Sequence, residues 1–160
     1  MQTAVKQNYH EETEGDINKL INLKLNASYT FLALGMYFDR DDVALPHFSR
    51  FFLERSEKER EQAEKLLGYQ NTRGGRILLQ TITVSVKNQF HHQDVFPSVC
   101  FFALTISILF QLCDYLEQEF LIDSHDTIKK LGDYISSLTR LTASDPHGSM
   151  GEYLFDRHTL

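Results

Sequence analysis

Two long stretches of helical period follow one another in this chain with almost nothing to interrupt them, and they set the strongest limit on its fold. Glu11 to Arg40 is periodic throughout, with glycine only at Gly15 and Gly35, and it ends in the charged turn Asp39-Arg40-Asp41-Asp42. A second helix is predicted to begin near Pro46, which suits a first turn because its missing N–H would have no partner there. It runs to about Asn71 and stops at Arg73-Gly74-Gly75-Arg76, where paired glycines end the periodicity. At a rise of about 1.5 Å per residue, each helix is roughly 40 Å long. Long antiparallel helices joined by a short turn are the grammar of a helix bundle. Eight glycines and three prolines in 160 residues argue against a sandwich of short strands, a collagen repeat or low-complexity disorder.

The remainder of the chain is less uniform. Thr81 to Lys87 alternates polar and apolar residues, a strand period, and Val95 to Cys113 carries no charge at all. Helical period returns from Leu112 to about Leu141, and Met150 to Leu160 is long enough for one short terminal helix after a loop at Thr142–Ser149. A net charge of −6 gives no basic footprint for a nucleic-acid backbone. Two cysteines, Cys100 and Cys113, are too few for a disulfide framework and fit a reducing compartment. The first ten residues lack the charged-then-apolar pattern of a secretory signal. The expectation is one acidic, mostly helical domain, 1–160, in the cytoplasm.

The second helix has two chemically distinct sides. Phe48, Phe52, Glu59, Gln62 and Leu66 share one, the bundle-facing stripe, and it contains a carboxylate. Glu54, Glu57, Glu61 and Glu64 share the other, where mutual repulsion costs a few tenths of a kcal/mol per neighbouring pair. A cation would relieve that repulsion, since hard metal ions prefer carboxylate oxygen. A solvated face softened by Arg55, Lys58, Arg60 and Lys65 accounts for the same row without a ligand. Glu59 is more informative, because a buried charge must find a partner. Lys24 lies on the inward stripe of the first helix with Ile17, Ile21 and Phe31, so a Lys24–Glu59 ion pair across the two helices is predicted.

Beyond these patterns, the residues themselves resemble a ferritin subunit. The likeness lies in Gln7-Asn8-Tyr9-His10, Ile21-Asn-Leu-Lys-Leu25, Tyr37-Phe-Asp-Arg-Asp-Asp-Val-Ala-Leu45, Gln70-Asn-Thr-Arg-Gly-Gly-Arg-Ile77, Leu112-Cys-Asp-Tyr-Leu-Glu117 and Gly151-Glu-Tyr-Leu-Phe-Asp-Arg-His-Thr-Leu160. It covers 1–80 and 112–160. The resemblance implies an all-α, ferritin-like four-helix bundle with a short C-terminal fifth helix. It also implies homo- or hetero-oligomeric assembly with other ferritin subunits into a cage that stores iron as ferric mineral, with no nucleic-acid or membrane partner. In that setting Glu54, Glu57, Glu61 and Glu64 become a metal-binding, mineral-nucleating surface, weakened by Lys58, and Asp114 and Glu117 line an iron-entry channel. Carried over residue by residue, the di-iron oxidation site of heavy-type subunits is mostly missing. Glu59 survives as its bridging metal ligand, while Lys24, Phe31, Gln62 and Ser124 stand where a glutamate, a tyrosine, a histidine and a glutamine belong. The resemblance therefore implies a storage subunit with a degenerate ferroxidase site; residual oxidation of ferrous iron is the enzymatic alternative.

The stretch 81–111 has no counterpart of the family's third helix and is some fourteen residues short of it by the spacing of the flanking motifs. Phe96 to Phe110 consists of residues with pyrimidine-rich codons, and Gln111 directly precedes the point where the likeness resumes. That is the appearance of a translated splice acceptor, which makes a non-assembling retained-intron product a further alternative. Nineteen uncharged residues, Val95–Cys113, also meet the minimum length of a membrane span, and a substitute third helix is the remaining possibility.

Overall fold

The computed structural model describes residues 5–6, 9–82, 114–143 and 149–160, and every regular element among them is helical. Helix α1 spans Glu11–Phe38 and α2 spans Pro46–Thr72. A π-helical turn at Glu117–Leu121 leads directly into α3, Ile122–Ala143, and the short α4 covers Ser149–Thr159. Thr81 and Ile82, the described part of the alternating segment, form no strand. The rest of that segment, the third-helix region, Val95–Cys113 and most of the Thr142–Ser149 loop lie outside the described residues. Among the described residues, no helix is long and apolar enough to cross a membrane.

Helix α1 starts where the sequence supplies favourable end chemistry. The Glu12 backbone N–H donates to His10 Nδ1, and Glu11, Glu12 and Glu14 in the first turn oppose the positive end of the helix dipole. Helix α2 opens on Pro46 but has no local side-chain cap. Its partner comes from α4, where the buried Asp156 Oδ1 accepts the Phe48 N–H at 2.8 Å. A carboxylate satisfies an orphan donor of the first turn and also meets the positive end of the dipole. The terminal helix thus completes the start of α2. At the other end of α2, Gly74 takes a φ of 72°, and a Cβ there would sit 2.9 Å from the Lys6 backbone nitrogen. Both the turn and the close passage of the N-terminal segment require glycine.

Helices α1 and α2 run antiparallel, as the descending pairs Lys24–Glu59, Ser28–Ser56 and Phe31–Phe52 show. At Gly35 a Cβ would fall 2.7 Å from the Leu53 side chain, so α2 packs directly on the α1 backbone there. Helix α3 packs along α2, with Tyr134 edge-on to Phe51 and Asp123 beside Arg55. The predicted inward residues Ile17, Ile21, Ser28, Phe31 and Gly35 of α1 and Phe48, Phe52, Glu59, Gln62 and Leu66 of α2 are all buried. The apolar core falls into two clusters. One holds Phe31, Leu34, Phe38, Phe48, Phe52 and Phe155; the other holds Tyr9, Ile17, Ile21, Leu66, Leu116 and Phe120. Between them along both helices lies a polar layer.

Candidate functional site

The polar layer is assembled from Lys24 and Ser28 of α1, Arg55, Ser56, Glu59 and Gln62 of α2, and Asp123 of α3. Ser28 and Ser56 each donate a hydroxyl to the other's backbone carbonyl, at 2.9 and 2.8 Å, so neither needs an outside partner. The predicted pair forms: Lys24 Nζ donates to Glu59 Oε2 at 2.8 Å, with both side chains about nine-tenths buried. The second oxygen of Glu59 is taken as well, since Arg55 Nη2 donates to Oε1. Arg55 also grips Asp123 with both terminal nitrogens, at 3.2 and 2.8 Å, and Gln62 Nε2 adds a bond to Asp123 Oδ2 at 2.8 Å.

Two cations and two carboxylates make this layer neutral, so it carries no net charge into the interior. Burial alone would push the Asp123 carboxyl up, but the Arg55 guanidinium and the Gln62 amide outweigh it and hold the group below the usual carboxylate range. For Arg55, burial would lower the guanidinium, and its bonds to Asp123 and Glu59 reverse that direction. Arg55 departs from the sequence expectation. Placed there among the residues softening the exposed acidic row, it is 6% exposed and belongs to the interior. Its position one turn before Glu59, within the buried spacing Phe48, Phe52, Arg55, Glu59, Gln62, is the signal that identifies it.

The outer side of α2 has a different character. Glu54, Glu57, Glu61 and Glu64 are all exposed, as predicted from their spacing. Arg60 bridges two of them, donating to both oxygens of Glu57 and to Glu64 Oε1 at 2.7 Å. That contact draws the Glu57 carboxyl below its ordinary range. Among the described residues, Glu54 and Glu61 have no ion pair. Glu54 and Lys58 line a groove of about 250 Å³ facing Asp126, Thr127 and Lys130 of α3. No group of three or more acidic, histidine or cysteine side chains among the described residues is arranged to hold a metal ion. Asp114 is exposed and accepts from Gln118 Nε2 at 3.2 Å, and Glu117 is the exposed first residue of the π-helical turn.

Phe31, Gln62 and Ser124 are buried, so each lies in the interior that the resemblance assigns to it. Whatever chemistry the middle of the bundle performs must work around a carboxylate whose two oxygens already hold an ammonium and a guanidinium.

Comparison with known proteins agrees with this architecture. The ferritin family profile, described as a ferritin-like domain, matches residues 15–98. The chain belongs to the ferritin family. The middle subunit of ferritin from Salmo salar is 42% identical over 175 aligned residues, covering 100% of this chain and 98% of that protein. The lower subunit from Aquarana catesbeiana is 41% identical over 174, covering 100% and 99%. A ferritin light chain, the oocyte isoform of Xenopus laevis, is 42% identical over 173, covering 99% and 97%. The aligned spans exceed the 160 residues of this ferritin, so its relatives carry residues that it lacks.

Proposed function

We propose that this chain is an iron-storage subunit that contributes acidic surface for ferric mineral to a multi-subunit cage and has lost the capacity to oxidise ferrous iron in its own interior. Iron is its cargo, taken up by carboxylates on the outer side of α2, namely Glu54, Glu57, Glu61 and Glu64. The carrying observation is the occupancy of Glu59 by Lys24 and Arg55 at once. A ferrous ion approaching that carboxylate meets two positive charges in a site of low dielectric, where repulsion is weakly screened. Among the described residues Glu54 and Glu61 of the exposed row hold no ion pair, and hard-cation chemistry suits their oxygens. Lys58 within the row reduces its charge density.

Assembly with copies of itself or with other ferritin subunits is part of the same reading, supported by relatives named as ferritin subunits and chains. Asp114 and Glu117 then belong to the cage's iron-entry channel, and the assembly resides in the cytoplasm. The test is aerobic addition of ferrous iron to the purified assembly, following oxygen consumption and ferric absorbance together. Slow oxygen consumption is expected from the homopolymer. Faster mineral growth is expected when an oxidising ferritin subunit is co-assembled, and slower growth when Glu54, Glu57, Glu61 and Glu64 are all changed to Gln. Oxidation by the homopolymer at the rate of that oxidising subunit contradicts the reading.

A further inference from the structure

Away from both glutamate sites, two aromatic side chains from distant parts of the chain meet face to face. Tyr69 near the end of α2 stacks on Tyr115, just before the π-helical turn, with ring centroids 5.0 Å apart and an interplanar angle of 16°. Both rings are half-buried at the edge of the cluster formed by Leu66, Leu116 and Phe120. Phe120, fully buried, stands edge-on to Tyr115 at 5.8 Å and limits its rotation. One helical turn away, Lys65 Nζ donates to Glu119 Oε2 at 2.6 Å. The ion pair and the ring pair are therefore successive rungs between the same two segments, each separated by four residues on both sides.

We propose that Tyr69 and Tyr115 form an oxidative cross-linking pair, joined by a carbon–carbon bond between ring ortho positions when the protein meets one-electron oxidants such as hydroxyl radical or a ruthenium(III) complex. Each phenol gives up one electron to the oxidant and its hydroxyl proton to solvent, leaving two phenoxyl radicals. The radicals couple at ortho carbons, and the ortho hydrogens move to the oxygens to restore both aromatic rings. The balance is two electrons to two equivalents of oxidant and two protons to water. Burial and the nearby Glu119 charge raise the Tyr115 pKa, so the phenol enters the reaction protonated. The stack holds the two phenol rings nearly parallel, with centroids 5.0 Å apart, which keeps the coupling partners together. Tyr134, by comparison, packs against Phe51 and Phe155, which offer no phenol to couple. The product would tie the end of α2 to the start of the α3 segment. The inference stands independently of the storage reading.

The test is photo-oxidation of the full-length protein with ruthenium tris(bipyridyl) and persulfate, followed by trypsin digestion and mass analysis. Cleavage after Lys and Arg places Tyr69 in peptide 66–73 and Tyr115 in peptide 88–129, each with no second tyrosine, so a linked product names its own partners. The expected result is dityrosine fluorescence, a band at the mass of one chain, and a joined peptide two hydrogens lighter than its parts. Tyr69→Phe and Tyr115→Phe keep the stack and should each abolish that peptide, and denaturant present during oxidation should suppress it. Absence of the joined peptide from the oxidised wild type, its persistence in Tyr115→Phe, or its restriction to a two-chain band would overturn the proposal.

Discussion

Glutamates two residues apart on α2 live under opposite rules. Glu59 lies 5% exposed in the neutral layer between two apolar clusters, with a cation on each oxygen. Glu61, two residues further along the helix, is exposed and holds no ion pair among the described residues. The same functional group is thus a structural tie in one place and an open ligand in the other. The lesson is that a carboxylate's availability to metal follows from what already neutralises it. In the interior the protein must supply the counter-charge itself, because an unpaired buried ion costs several kcal/mol. On the surface water does that work, and ion pairs contribute little.

The largest effect expected from breaking this contrast comes from Glu59→Ala. It strands Lys24 and half of the Arg55 contact, and should cost about 3 to 5 kcal/mol in denaturant unfolding of the assembled protein. Lys24→Met leaves Arg55 on Glu59 and removes one charged hydrogen bond, so a smaller loss of about 1.5 to 3 kcal/mol is expected by the same measurement.

A pH series sharpens the comparison next. Asp123 is held below the ordinary carboxylate range in the folded chain, so its contribution is complete above an aspartate pKa of about 3.9 and lost as pH falls toward the lower folded value. Stability should therefore drop on acidification in that window, and Asp123→Asn should flatten this part of the profile. The smallest effect belongs to the outer row. Glu61→Gln should move stability by no more than about 0.5 kcal/mol in either direction, while slowing growth of ferric absorbance. A large stability loss there would erase the distinction between the two sides.

Much of the site was legible in the sequence where opposite charges fell on two inward stripes. Lys24 and Glu59 could be paired because both interrupt apolar periodicity on helices joined by a short turn. Arg55 was harder to place, since a long cation among many surface charges resembles another solvated residue until its one-turn spacing from Glu59 is weighed. Asp123 was not legible, because it meets Arg55 across 68 residues of sequence. The cap that Asp156 lends to α2 spans 108 residues, and nothing local to Leu45 or Pro46 signals it. Helical period gave α1, α2, α3 and α4 nearly to their ends, but it carried no sign of the π-helical turn at Glu117–Leu121.

The central claim is that the interior carboxylate is closed to iron while the outer row is open. Crystals of the assembled protein exposed to ferrous iron in air, measured at the iron absorption edge, address it directly. Anomalous peaks are expected beside Glu54, Glu57, Glu61 and Glu64, with Glu59 still bonded to Lys24 and Arg55. Two iron ions bound at Glu59, with the lysine and arginine displaced, would contradict it.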